Sequence, residues 1–127
     1  MHIPSRLIGP FRLTEEGVNA EVAEDSPGAY ALGFDTPGVF TVVRVDRADG
    51  LRTALLERAR EGKYPSFKYL AVADAREAFD LECLLFHEFG GSRHLDNTDH
   101  PQRPDGSRWL CPDCTHYGIR DWAALAR

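Results

Sequence analysis

The stretch "DAREAFDLECLLFHEFGG", residues 74–91, decides how this chain is read. Asp74 followed three residues later by Glu77 is a capping-box pattern, and the Gly90-Gly91 pair supplies a stop, so the segment is expected to be a helix. At about 100° per residue, Ala78, Phe79, Leu85, Phe86 and Phe89 share one broad arc, and Glu82 falls inside it. A carboxylate among aromatic side chains is costly if ionised and alone. Glu82 is therefore expected either to pair with an arginine at the edge of the arc or to hold a divalent cation facing a cleft. Cys83 and His87 are four residues apart and project together from a different face of the same helix.

Downstream, "WLCPDC" (109–114) brings two more thiols. Cys83 and His87 joined by Cys111 and Cys114 would supply three thiolates and an imidazole, a donor set suited to a closed tetrahedral structural Zn²⁺ site, with His100 and His116 as substitutes for His87. Each part also has an ordinary explanation: a buried cysteine as a small hydrophobe, a core histidine, a redox pair at Cys111 and Cys114. The redox reading is the least favoured, because this C-x-x-C stands late in a loop and not at the start of a helix that follows a strand. Between helix and cysteines runs "SRHLDNTDHPQRPDGSRW" (92–109), polar, proline-bearing and longer than an ordinary connector. A metal that closes it back onto the helix would explain how it is held.

Upstream, "PGAYALGF" (27–34) and "VFTVVRV" (39–45) are β-rich runs separated by "DTPG", which reads as a hairpin. "DGLRTALLERAREG" (49–62) carries Leu51, Leu55 and Ala59 four apart, with Asp49 able to cap its start and Gly62 its end, and reads as a helix. "FKYLAV" (67–72) is a third strand. "FRL" and "VNAEV" near the start are short strands or covering segments, and "GIRDWAALAR" (118–127) is expected to form a terminal helix. The layout is α+β: a small three-stranded, mostly antiparallel sheet flanked by helices, with a zinc-stapled C-terminal loop. A single domain, 1–127, is expected, with its core at about 26–97 and the stapled tail at 98–127.

The composition fits one globular unit: 127 residues, 43% hydrophobic and 28% charged, suffice to bury roughly two-thirds of the unfolded surface. No stretch approaches the roughly 18 to 20 apolar residues of a membrane span, and "MHIPSRLIGPFRL" has no apolar core of the secretory kind. A cytoplasmic protein with no membrane partner is expected. Three cysteines, an odd number, argue against a closed disulfide framework. The net charge of −5 argues weakly against nucleic acid, although residues 44–68 hold seven basic side chains against four acids, and 69–99 hold two against seven. That contrast is either a positive stripe or a solvated helix face with mixed charges.

The order strand, strand, helix, strand, helix, together with "GAY", "TVV" and "AFDLEC" in sequence, resembles the GIY-YIG nuclease superfamily over about residues 26–114. The tail pattern "FGG…LDN…HP…RP…W.CP.C" looks like a subgroup of small bacterial members with an added metal-binding end. What the resemblance implies is metal-dependent cleavage of a DNA phosphodiester: Tyr30 would help activate water, Glu82 would hold one divalent metal, and Asn97 would complete the set. The chain departs from the family's pattern elsewhere. Thr41, Val42 and Val43 stand where the second motif has its Tyr and Gly, and Ala54 stands where the helix Arg would be, so Arg58 and Arg44 are the candidates to face the phosphate. Losing one positioned donor typically costs about 2.7–4 kcal/mol of transition-state stabilisation, so weak or absent catalysis is expected. The alternative is a non-catalytic, zinc-containing module that binds a protein or nucleic acid.

Overall fold

A computed structural model describes residues 7–118. The expected terminal helix at 118–127 falls almost wholly outside the described residues. The elements run β1 (Ile8–Arg12), α1 (Glu15–Glu21), β2 (Gly28–Thr36), β3 (Val39–Ala48), α2 (Leu51–Glu61), β4 (Ser66–Ala71), α3 (Ala75–Glu88), then a 3-10 turn, Gly91–Arg93. The fold class is α+β, but the sheet has four strands, not three, in the order β1-β4-β2-β3 with every pair antiparallel. The extra strand takes in Phe11 and Arg12 of "FRL". "VNAEV" lies on a helix whose N-cap Thr14 accepts a hydrogen bond from Gly17 N at 2.9 Å. Val18 and Val22, four apart, turn to the same side and are buried there.

The hairpin forms where expected, with Pro37 and Gly38 between paired Thr36 and Val39 and Gly38 at φ +82°. Glycine adopts that conformation without the Cβ penalty other residues meet. A bulge interrupts β2 and β3: Leu32 pairs with Arg44 but Gly33 pairs with Val42, leaving Val43 as the extra residue. Gly33 is required there, since a Cβ would run into the Thr41 carbonyl. The unpaired Val43 carbonyl accepts a hydrogen bond from Asp96 N at 2.6 Å, so the loop after α3 docks on this edge strand.

Strand alternation then sorts the core. On one face Tyr30, Leu32 and Phe67 meet Leu51 and Leu55 of α2 and Val18 and Val22 beside α1. On the other, Ala29, Ala31 and Val45 meet Leu81, Leu85 and Phe86 of α3. The small alanines of β2 let α3 approach closely. Helix α2 ends at Gly62 in the left-handed region as expected, but Asp49 does not cap its start. Asp25 does, accepting from Thr53 N at 2.9 Å and Thr53 Oγ1 at 2.6 Å, and the Thr53 bonds hold its carboxyl below the ordinary value. Asp74 caps α3, accepting from Glu77 N at 2.8 Å. No helix among the described residues is long and apolar enough to cross a membrane.

Candidate metal centre and adjoining cleft

Helix α3 is buried along two stripes. Leu81 and Leu85 face the sheet, while Phe79 and Cys83 face the tail and pack with Cys111, Trp109, Cys114 and Tyr117. The tail follows an irregular path over this second stripe, held by aromatic and polar contacts. Trp109 and Tyr117 lie 5.8 and 6.1 Å from the Phe79 ring, and Tyr117 Oη donates to Pro101 O at 2.8 Å while accepting from Arg103 N at 2.9 Å. Arg103 Nη1 donates to Trp109 O at 3.1 Å.

These contacts bring four donors together: His87 from α3, and His100, Cys111 and Cys114 from the tail, with their ligand atoms all within 4.8 Å of one another. His87 Nε2 lies 3.3 Å from His100 Nε2, and Cys114 Sγ lies 3.3 Å from the same nitrogen. A tetrahedral ion with N and S ligands at about 2.0–2.3 Å separates its donors by roughly 3.3–3.8 Å, so the two 3.3 Å contacts match one small cation and the wider pairs, up to 4.8 Å, would draw in around it. The surroundings fit as well. His100 Nδ1 lies 2.9 Å from Pro101 O, and a proton held there leaves Nε2 to face the group. Asp113 N donates to Cys111 Sγ and His116 N to Cys114 Sγ, both at 3.4 Å, the way a tight turn stabilises thiolates. Burial lowers the His100 pKa, favouring the neutral imidazole a metal requires.

Cys83, expected as a ligand, is not in this group, and His100 completes the set instead. The reason lies in the helix: His87 stands a full turn beyond Cys83, and the group collects around the later residue. Cys83 is fully buried against Phe79 and Cys111, and burial, followed by the neighbouring Cys111, pushes its thiol pKa well up. His116, the other substitute considered, stacks flat on His100 with ring centroids 4.2 Å apart and lies outside the group.

Glu82 occupies the flank of α3 between the two stripes and reaches the edge strand. It is 6% exposed, and Arg47 Nη1 donates to its Oε1 at 2.6 Å. Arg47 also lies over the Phe79 ring, 5.3 Å from its centroid. Of the two alternatives read from the sequence, the arginine pair is the one present, and it sits in a cleft of about 460 Å³ lined by Arg47, Ala48, Asp49, Ala75, Glu82, Gln102 and Pro104. Burial raises the Glu82 pKa to about 7 against the opposing pull of Arg47.

Tyr30 lies buried on β2, opposite Asp46 of β3. Its pKa is raised by burial first and then by Asp46, and Arg58, Arg44 and Glu82 all act on it electrostatically. Arg44 donates Nε to Asp46 at 2.7 Å, and Arg58 Nη2 lies 3.1 Å from Glu61 Oε2. Arg44, Arg58, Glu61, Lys63 and Tyr64 line a small pocket of about 100 Å³. Arg58 Nε is buried there without a hydrogen-bond partner, and Lys63 makes no ion pair among the described residues. Neither Lys63 nor Tyr64 was singled out from the sequence as a site residue.

Asn97 is engaged elsewhere. Its Oδ1 accepts from Val45 N at 3.0 Å and its Nδ2 donates to Val45 O at 2.7 Å, so the side chain caps the open edge of β3 as a further strand would. Asn97→Ala should therefore lower stability by roughly 2–4 kcal/mol, the cost of leaving two buried backbone groups without partners. Denaturant titration with metal content measured in parallel checks this. A loss under about 1 kcal/mol would mean that the clamp is dispensable. Compared with protein-family models, with curated proteins and with solved structures, the chain finds no match in any of the three.

Proposed function

We propose that this chain is a GIY-YIG-like domain, stapled by zinc, that binds the phosphodiester backbone of DNA and cleaves it weakly or not at all. The observation that carries the reading is one small pocket that brings together Arg44 of β3 and Arg58 of α2, the two candidates to face a phosphate, with Lys63. Two cysteines and two histidines with turn N–H groups on the sulfurs suit Zn²⁺ better than Mg²⁺ or Ca²⁺, which prefer oxygen. Its role is structural, since four protein donors leave no position open for substrate.

The pocket of Arg44, Arg58 and Lys63 is the natural seat for a phosphate: guanidinium groups bind phosphate oxygens in pairs, and Arg58 Nε is a donor in want of an acceptor. The same geometry argues for binding over cutting. Glu82 is the residue that would take Mg²⁺ or Mn²⁺ and so supply a Lewis acid, but Arg47 holds one of its oxygens, and among the described residues it belongs to no cluster of three metal donors. Asn97 is committed to Val45. A protein-binding module is the alternative.

Two measurements test the reading together. Fluorescence anisotropy with labelled DNA should give an affinity that falls as salt rises, and Arg58→Ala should weaken it about tenfold. Incubation with supercoiled plasmid and Mg²⁺ or Mn²⁺ should give little nicking. Rapid nicking that disappears in Glu82→Ala would restore the catalytic role, and absence of any salt-dependent binding would remove DNA altogether.

A further inference from the structure

Strand register puts an exposed aromatic ring beside the phosphate pocket. Leu32 of β2 stands directly opposite Arg44 of β3, and the bulge at Val43 leaves β2 itself uninterrupted, so alternation along β2 carries Phe34 to the same face as Arg44. This is the face that α2 covers. Tyr30 and Leu32 pack there with Leu51 and Leu55, and Arg58 of the same helix joins Arg44 in the pocket. Phe40 and Val42 turn to the other face and pack on the α3 core.

Helix α2 stops short of the hairpin's end. Leu32 is fully buried, but Phe34 is 48% exposed among the described residues, and Val39, opposite Thr36 further along the same face, is 59% exposed. Successive residues on one face of a strand lie about 7 Å apart, so Phe34 stands one step beyond the Leu32–Arg44 pair. A second link runs past the end of α2. Lys63 and Tyr64 line both the phosphate pocket and a groove of about 740 Å³ that reaches β2 at Asp35, next to Phe34. The acids along this route do not block it: Glu61 is paired with Arg58, and Asp35 stands opposite Phe40, out of line with Phe34.

Cations that accept an anion, with a flat apolar ring one step away on the same face, complement a chain that carries both a phosphate and a ring in each unit. Unpaired nucleotides are such a chain, and proteins that hold them combine a cationic groove with aromatic side chains on which bases stack. A duplex keeps its base faces stacked on one another and offers none to the ring. We propose that Phe34 is a stacking platform on which the base of an unpaired nucleotide lies while its backbone phosphate sits on Arg44, Arg58 and Lys63, so that the domain prefers single-stranded nucleic acid. Stacking reads no base edge, so the preference is for unpaired bases and not for a sequence. This rests on the phosphate-binding reading of the Arg44 pocket.

The experiment uses the zinc-loaded full chain and three fluorescein-labelled oligonucleotides: a 15-mer single strand, the same strand in duplex, and the single strand with abasic sites throughout. The wild type should bind the single strand roughly tenfold more tightly than the duplex or the abasic strand, the gain expected of one stacked base. Phe34→Leu, which keeps an apolar side chain but no ring, should lose most of that preference with its thermal midpoint and the salt dependence of binding unchanged. Phe34→Trp should keep the preference. Arg58→Ala should weaken binding to all three and flatten the salt dependence. Equal binding of the single strand and the abasic strand, or a Phe34→Leu variant that keeps the preference while Arg58→Ala still weakens binding, would overturn the platform and leave the phosphate pocket standing. So would a dimer in sedimentation that Phe34→Leu converts to monomer with binding to all three strands unaltered, since the ring would then serve self-association. No binding of any strand would overturn both.

Discussion

Removing the metal, by a chelator or by Cys111→Ser, should lower the thermal midpoint by roughly 10–20 °C, while Cys83→Ala should keep one equivalent of zinc. An ion held at a thousandfold excess over its dissociation constant stabilises the folded state by about 4 kcal/mol. Each kcal/mol moves the midpoint of a domain of this size by roughly 3–5 °C. The full amount reaches the domain only if the tail is coupled to the core, and Phe79 provides that coupling. It is fully buried, and the residues over it are Trp109 and Tyr117, which sit among the ligands of the tail. Freed from the metal, the tail would leave Phe79 and Cys83 open to water along a whole stripe of α3. Cys83→Ala removes a sulfur packed against Cys111 and should cost about 1 kcal/mol without touching the donor group. Elemental analysis with thermal melts of the three proteins decides it. A midpoint unmoved by chelation would show the metal group to be ornamental, and loss of zinc in Cys83→Ala would return Cys83 to the ligand set.

Much of this architecture was legible in local chemistry. The cap at Asp74, the Pro-Gly hairpin and the stop at Gly62 each depend on residues adjacent in the chain, and each forms as expected. What was missed depends on distance. Asp25 caps α2 from a loop that lies 28 residues before Thr53, a partnership no spacing rule contains. The fourth strand was legible only as "FRL", a short strand or covering segment, because Ile8–Arg12 includes a glycine and a proline and its partners on β4, such as Tyr69 for Ile8, are distant in sequence. Thr14 with two acidic residues after it is the local signal for α1. At the metal group, helical spacing puts Cys83 and His87 on one face and both meet the tail, but His100, read from the sequence as a substitute for His87, joins His87 in the place expected of Cys83. Asn97 was assigned a role by resemblance alone, and its two bonds to Val45 show a local structural use for the same residue.

The acid at position 82 should leave its mark on the pH dependence of stability. In the folded chain its carboxyl titrates near pH 7, where burial outweighs Arg47, against an ordinary value of 4.5. Below about pH 4.5 the group is protonated whether the chain is folded or not, and its burial carries no ionisation penalty. Between about 4.5 and 7 the unfolded chain has given up the proton that the folded chain still holds, so unfolding releases a proton and stability falls as pH rises. Above pH 7 both states are ionised, and the accumulated penalty of about 3 kcal/mol stays constant. Replacing the group with a neutral isostere should flatten this limb: Glu82→Gln should be less stable than or equal to the wild type near pH 5 and more stable by up to about 3 kcal/mol at pH 8. Ionisation of groups elsewhere in the chain is common to both proteins and cancels in their difference. Denaturant titrations of wild type and Glu82→Gln at intervals from pH 4.5 to 8, both zinc-loaded, measure that difference directly. A difference that does not change with pH would mean that Arg47 keeps the carboxylate ionised throughout, and the cleft would then hold a permanent ion pair in place of a proton that can move.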